Sequence, residues 1–129
     1  MRALVFTLSF ILCVFFISAQ TKTKAIEKEE MKTYYLVFLK KGPKRDQDST
    51  TAAEIQKGHM AHLNKMYTEG KMDLAGPIMN EGDIRGICVY NVKNMDEAKT
   101  LAESDPAVRS GRLIVEILPW YSQKGAKLR

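Results

Sequence analysis

Residues 58–77 read GHMAHLNKMYTEGKMDLAGP, and within them the chain changes from a helical to an extended pattern. His59, His62, Leu63 and Met66, with Ile55 upstream, recur at spacings of three and four, which places them on one stripe of a helix over residues 52–69. Gly70 follows where a helix needs a C-terminal cap. Met72 to Ile78 then predicts a strand that ends on Gly76-Pro77. The two imidazoles are the only histidines in the chain, and both occupy the stripe that also carries the core residues. Histidine changes charge close to neutral pH, so spending core-facing positions on it invites a chemical reading.

Upstream, Tyr34 to Leu39 is aromatic and β-branched without strict alternation, the pattern of a strand covered on both faces. Lys40 to Ser49 collects Gly42, Pro43, Asp46, Asp48 and Ser49 and predicts a loop. Ser49, Thr50 or Thr51 is then the expected N-cap, with Glu54 three residues beyond Thr51. Downstream, Asn80-Glu81-Gly82-Asp83 turns the chain into a further strand over Ile84 to Val92, forming a hairpin. Asn94 or Asp96 caps a second helix with Met95, Ala98, Leu101 and Ala102 on its apolar side, ended by Asp105-Pro106. A last strand, Leu113 to Leu118, is expected to stop at Pro119. The order βαββαβ predicts an α+β, ferredoxin-like domain with a four-stranded antiparallel sheet. Its helices cover one face only, so the other is expected to be covered by a second copy in a dimeric α+β barrel.

The chain has 129 residues, enough for one domain. Residues 1–20 combine one arginine, a short apolar run and Ser18-Ala19-Gln20, the pattern of a secretory signal peptide too short to span a bilayer as an anchor. Leu12 before Cys13 argues against a lipoprotein signal. Residues 21–32 read as a polar tether, 33–122 as the domain and 123–129 as a basic tail. The expected location is therefore the periplasm or the medium, with no membrane attachment after cleavage. Twenty Lys and Arg against fifteen Asp and Glu give a net charge of +5, gathered largely at the two ends. No basic stripe with interleaved aromatics runs through the body, so nucleic acid is not an expected partner. Cys88 would be the single cysteine after cleavage, which leaves no intrachain disulfide, and its strand setting suits a small hydrophobe.

Several separated motifs resemble the YCII-related family. They are Lys41-Gly42-Pro43, His59 eleven residues before Gly70, Ala75-Gly76-Pro77, Arg85-Gly86-Ile87, Asp96-Glu97-Ala98, Ser104-Asp105-Pro106-Ala107-Val108, Gly111-Arg112-Leu113 and Pro119-Trp120. The resemblance runs from Thr33 to Tyr121. It implies a small ferredoxin-like protein, some members of which are lyases, with His59 and Asp105 as a His-Asp pair. A carboxylate bonded to one imidazole nitrogen fixes the tautomer and makes the other a better proton acceptor, which suits proton abstraction or elimination. His62, Gly76 and Asp73 are further candidates for the substrate pocket, and Arg85 and Arg109 for binding an anion. Two histidines three apart fall short of the ligands a tetrahedral metal site needs, so neither metal nor cofactor is expected. The expected function is a lyase or hydrolase acting on a small molecule as a homodimer; the alternative is a non-catalytic ligand-binding or assembly module.

Overall fold

The computed structural model describes residues 30–129. The expected signal peptide at 1–20 and most of the tether at 21–32 lie outside the described residues. The elements are β1 (Met31–Lys41), α1 (Ser49–Thr68), β2 (Met72–Pro77), β3 (Ile84–Tyr90), α2 (Met95–Glu103), the single turn α3 (Pro106–Arg109) and β4 (Leu113–Gln123). The four strands form one sheet in the order β2-β3-β1-β4, with every neighbour antiparallel. This is the expected βαββαβ arrangement with one short helix added.

Alternation along β1 sorts its side chains into two layers. Tyr35, Val37 and Leu39 are buried and pair across β3 with Tyr90, Cys88 and Gly86. They join Met66 of α1, Ala98 and Ala102 of α2 and Ala107 of α3 in the core. The small residues on α2 and α3 let those helices lie close to the sheet. On the opposite face Leu36 and Phe38 are only half-buried, and Leu118 and Trp120 of β4 are exposed. Within the described chain, therefore, no helix covers that face of the first strand, although Tyr34, which shares it, is buried beside Trp120.

Several boundaries differ from the sequence reading. The α1 N-cap is Asp48, one residue before the expected Ser or Thr, because its carboxylate accepts the Thr51 N–H at 2.9 Å and the Thr51 hydroxyl as well. β1 begins at Met31, inside the expected tether, and β4 runs through Pro119 to Gln123, because Met31 and Lys32 pair with Gln123 and Ser122. Pro119 does not stop β4 because that strand lies at the sheet edge, where proline is accommodated. In addition, β3 ends at Tyr90, two residues short of Val92. Finally, the chain after α2 starts a new helical turn at Pro106 instead of running directly into β4.

Candidate active site

The break between α2 and α3 builds the site. Asp105 has an extended backbone and caps α3, its Oδ1 accepting the Ala107 N–H at 2.8 Å, while Pro106 takes the first helical position, where its missing N–H costs nothing. Opposite, α1 presents Gly58. A Cβ there would lie 3.1 Å from Pro106 Cγ and 3.2 Å from its Cβ, so the glycine permits the close approach of α1 to α3. That approach brings His59 to Asp105: Nδ1 donates to Oδ2 at 2.6 Å. Asp105 is 1% exposed and His59 8%, so the pair is withdrawn from water. Both carboxylate oxygens are satisfied, one by backbone and one by the ring. The imidazole is thereby fixed in position, with Nε2 left over for other chemistry.

His59 lines a cavity of about 760 Å³ between α1 and the β2–β3 side of the sheet, whereas Asp105 stands behind the ring, outside the lining. The volume falls within the range of small-molecule sites. Ile55, Leu63, Met72 and Leu113 supply apolar wall. Gly76 lines the cavity, and a Cβ added to it would meet nothing within 4 Å, so it leaves open space and does not serve a packed contact. Asp73 also lines it, its two oxygens accepting from Asn91 Nδ2 at 3.2 and 3.1 Å. Cys88 reaches the wall, but burial first and the Asp105 charge second push its thiol up to about 12, so it is a protonated, inert surface at neutral pH. Burial likewise raises the Tyr90 phenol.

His62, the other histidine of the stripe, is not among the lining residues. Its Nε2 is buried with no hydrogen-bond partner, and burial lowers its affinity for a proton, with Asp105 opposing and His59 and Lys65 reinforcing that trend. Arg85 lines the cavity; Arg109 is exposed on α3 and does not. Two arginines that sequence reasoning passed over, Arg45 and Arg112, do line it. Arg112 stood within a motif, but nothing in the pattern of either residue marks it for a wall, because the β1–α1 loop and the start of β4 meet only in the fold. Gly58 did carry a signal: glycine inside a helix costs stability and asks for a packing reason. Among the described residues no group of three or more His, Cys, Asp or Glu is placed to hold a metal ion.

A sequence model of the YCII-related domain matches residues 33–121. No curated protein matches the chain. Among solved structures the fold resembles 5-chloro-2-hydroxyhydroquinone dehydrochlorinase from Burkholderia phenoliruptrix AC1100, determined in complex with 2,5-dihydroxybenzoquinone. The TM-score is 0.52 at 20% identity, over 67% of this chain and 92% of that one.

Proposed function

This chain belongs to the YCII-related domain family, and from that premise we propose that it is a lyase in which His59 is the general base of an elimination on a small molecule. The observation that carries the reading is the 2.6 Å hydrogen bond that ties His59 Nδ1 to the buried Asp105 while the ring itself borders the cavity. Asp105 acts as a positioning residue: it holds the Nδ1–H tautomer and stabilises the imidazolium formed when Nε2 takes a proton. In the step, Nε2 removes a proton from the substrate, the electrons of that bond form a new double bond, and a leaving group on the neighbouring carbon departs with its electron pair. The imidazolium then returns its proton to solvent. The structural neighbour is named as a dehydrochlorinase, an activity of this class, although at 20% identity it informs the fold rather than the substrate.

The proposal includes two further parts. Residues 1–20 direct export, and the mature chain works in the periplasm or outside the cell as a homodimer. Support for export is the signal-like pattern of those residues. The dimer is supported by the face of the sheet that no helix covers, where Leu118 and Trp120 are each 45% exposed. An N-terminus near Gln20 or Thr21 by mass spectrometry, and a dimer by sedimentation at micromolar concentration, are the expected outcomes.

The test of the chemistry is release of the leaving group. A panel of small molecules with a proton beside a leaving group, chlorinated hydroxyhydroquinones among them, is incubated with the wild type and with His59→Ala. Release by the wild type that is lost in the folded variant supports the proposal. No release from any member, or release that survives in His59→Ala, rejects it in favour of the binding module.

A further inference from the structure

The three arginines of the cavity wall come from distant parts of the sequence, yet the topology gathers them at one end of the sheet. β1 ends at Lys41, paired with Leu113 at the start of β4, and Lys40 pairs with Ile84 at the start of β3. Arg45 follows β1 in the loop to α1, Arg85 is the second residue of β3, and Arg112 immediately precedes β4. Two of them are tied to the same junction of loop and strand: Arg45 Nη1 donates to the Arg112 carbonyl at 2.8 Å, and Arg112 Nη1 donates to Gln47 Oε1, in the loop with Arg45, at 2.7 Å. Arg85 Nη1 donates to the Asn80 carbonyl at 3.0 Å. All these acceptors are neutral oxygens. Among the described residues none of the three guanidiniums forms an ion pair with a carboxylate.

Other charged groups at this end are already engaged or stand off the wall. Asp48 caps α1, and Asp83 lies 3.9 Å from Lys40. Asp73, the one carboxylate on the lining, has both oxygens on the Asn91 amide. A cavity with apolar walls, three guanidiniums and a single acid is electrostatically unbalanced. Arginine presents a rigid fork of donors that fits a carboxylate or similar planar anion through two parallel hydrogen bonds. Wholly exposed arginines are solvated and need no partner, but Arg85 and Arg112 are half-buried, and water is a poorer partner there.

We propose that the substrate is a small organic anion, with an apolar body against Ile55, Leu63 and Met72 and a carboxylate or an ionised oxygen received by Arg112 and Arg45. The inference rests on the reading of this cavity as the substrate site. It adds a constraint to the chemistry: an anion anchored at the arginine end leaves its uncharged portion to reach the His59 ring. The negative charge is then spent on orientation and stays away from the nitrogen that must accept a proton.

Binding separates this proposal from the elimination itself. Benzoate and trans-cinnamate are titrated into the protein by calorimetry beside benzamide and cinnamamide, which match them in shape and lack the charge. The acids are expected to bind saturably and the amides at least about tenfold more weakly, since a charge-assisted bidentate contact is replaced by a neutral one. Arg112→Gln is expected to weaken the acids by about tenfold or more, with Arg112→Lys restoring part of the loss, because a point charge replaces the fork. Arg45→Gln, in an exposed loop where folding is not at stake, is expected to act in the same direction. His59→Ala should keep the preference for acid over amide even while elimination is lost, so failure of the catalytic reading leaves the anion site standing. Equal binding of acid and amide, no saturable binding of either acid, or unchanged binding in both folded Arg45→Gln and folded Arg112→Gln overturns the proposal.

Discussion

The two imidazoles of α1 are three residues apart, yet they differ in what stands behind each ring and in what lies beside it. On the side of the helix that meets α3, His59 has a carboxylate at 2.6 Å behind it and a cavity beside it. His62 is half-buried as a residue, has a buried Nε2 without a partner, does not line the cavity, and feels Asp105 only as a nearby charge. Burial alone disfavours the charged ring and weakens it as a base. A carboxylate bonded to one ring nitrogen fixes the ring's position and tautomer, and a cavity gives the free nitrogen something to act on. α3, a helix of one turn, decides which histidine is paired with a carboxylate, because it delivers Asp105 to His59.

The widest expected difference between the two positions is in turnover. His59→Ala should lower the rate of elimination by about 10²- to 10⁴-fold, the contribution a positioned general base makes. Equivalent losses in His59→Ala and His62→Gln, measured on the same substrate, would erase the distinction between the two sides of the helix. Asp105→Asn should cost about 10²-fold, because the amide can offer its own N–H to Nδ1 and so favour the wrong tautomer. Asp105→Ala should in addition lower stability by about 1–3 kcal/mol for each buried N–H it orphans, at His59 and at Ala107. Urea unfolding reads this term, and an unchanged midpoint for Asp105→Ala would show that those donors find other partners.

Gly58→Ala addresses the packing that makes the pair. Two effects oppose each other: alanine favours the helix by about 1 kcal/mol over glycine, while its Cβ at 3.1 and 3.2 Å from Pro106 pushes α3 outward. Stability should therefore change little and turnover should fall, because a few tenths of an ångström added between α1 and α3 stretch the His59–Asp105 bond directly. A variant with wild-type turnover would show that the pair tolerates more slack than its geometry suggests.

Much of this was legible in the sequence, for identifiable reasons. The spacing of Ile55, His59, Leu63 and Met66 and the aromatic and β-branched run from Tyr34 to Leu39 are local signals, and the elements follow them. The His59–Asp105 pairing was legible through the family motifs, and its geometry follows from helices that share one face of the sheet. What was not legible depends on pairing across the fold. Nothing local says that Met31 joins a strand, since it does so only because β4 extends past Pro119 to meet it. The choice of Asp48 over Ser49, Thr50 or Thr51 as N-cap is likewise a competition among neighbours with similar side chains. The wall formed by Arg45 and Arg112 needs the β1–α1 loop to fold back on the start of β4, a contact 67 residues apart in the chain.

The smallest expected effect lies on the His62 side and appears only with pH. Burial holds this ring neutral in the folded chain below its ordinary value of 6.5, partly offset by the Asp105 charge. The unfolded chain, with no such burial, takes up a proton as the pH falls through about 6.5. Below that point the unfolded state binds more protons than the folded one, so stability declines with falling pH. Above it both states are neutral and His62 adds no slope. His62→Gln should therefore have the same stability slope as the wild type above pH 7 and a shallower decline between about pH 6.5 and 5. All other titratable groups are common to both proteins, so the difference between the two curves reads His62. Chemical unfolding at pH 7.5, about 6.5 and about 5.5 measures it. Identical slopes in the two proteins would mean that His62 takes up a proton as freely when folded as when unfolded. The contrast with His59 would then rest on the carboxylate and the cavity alone.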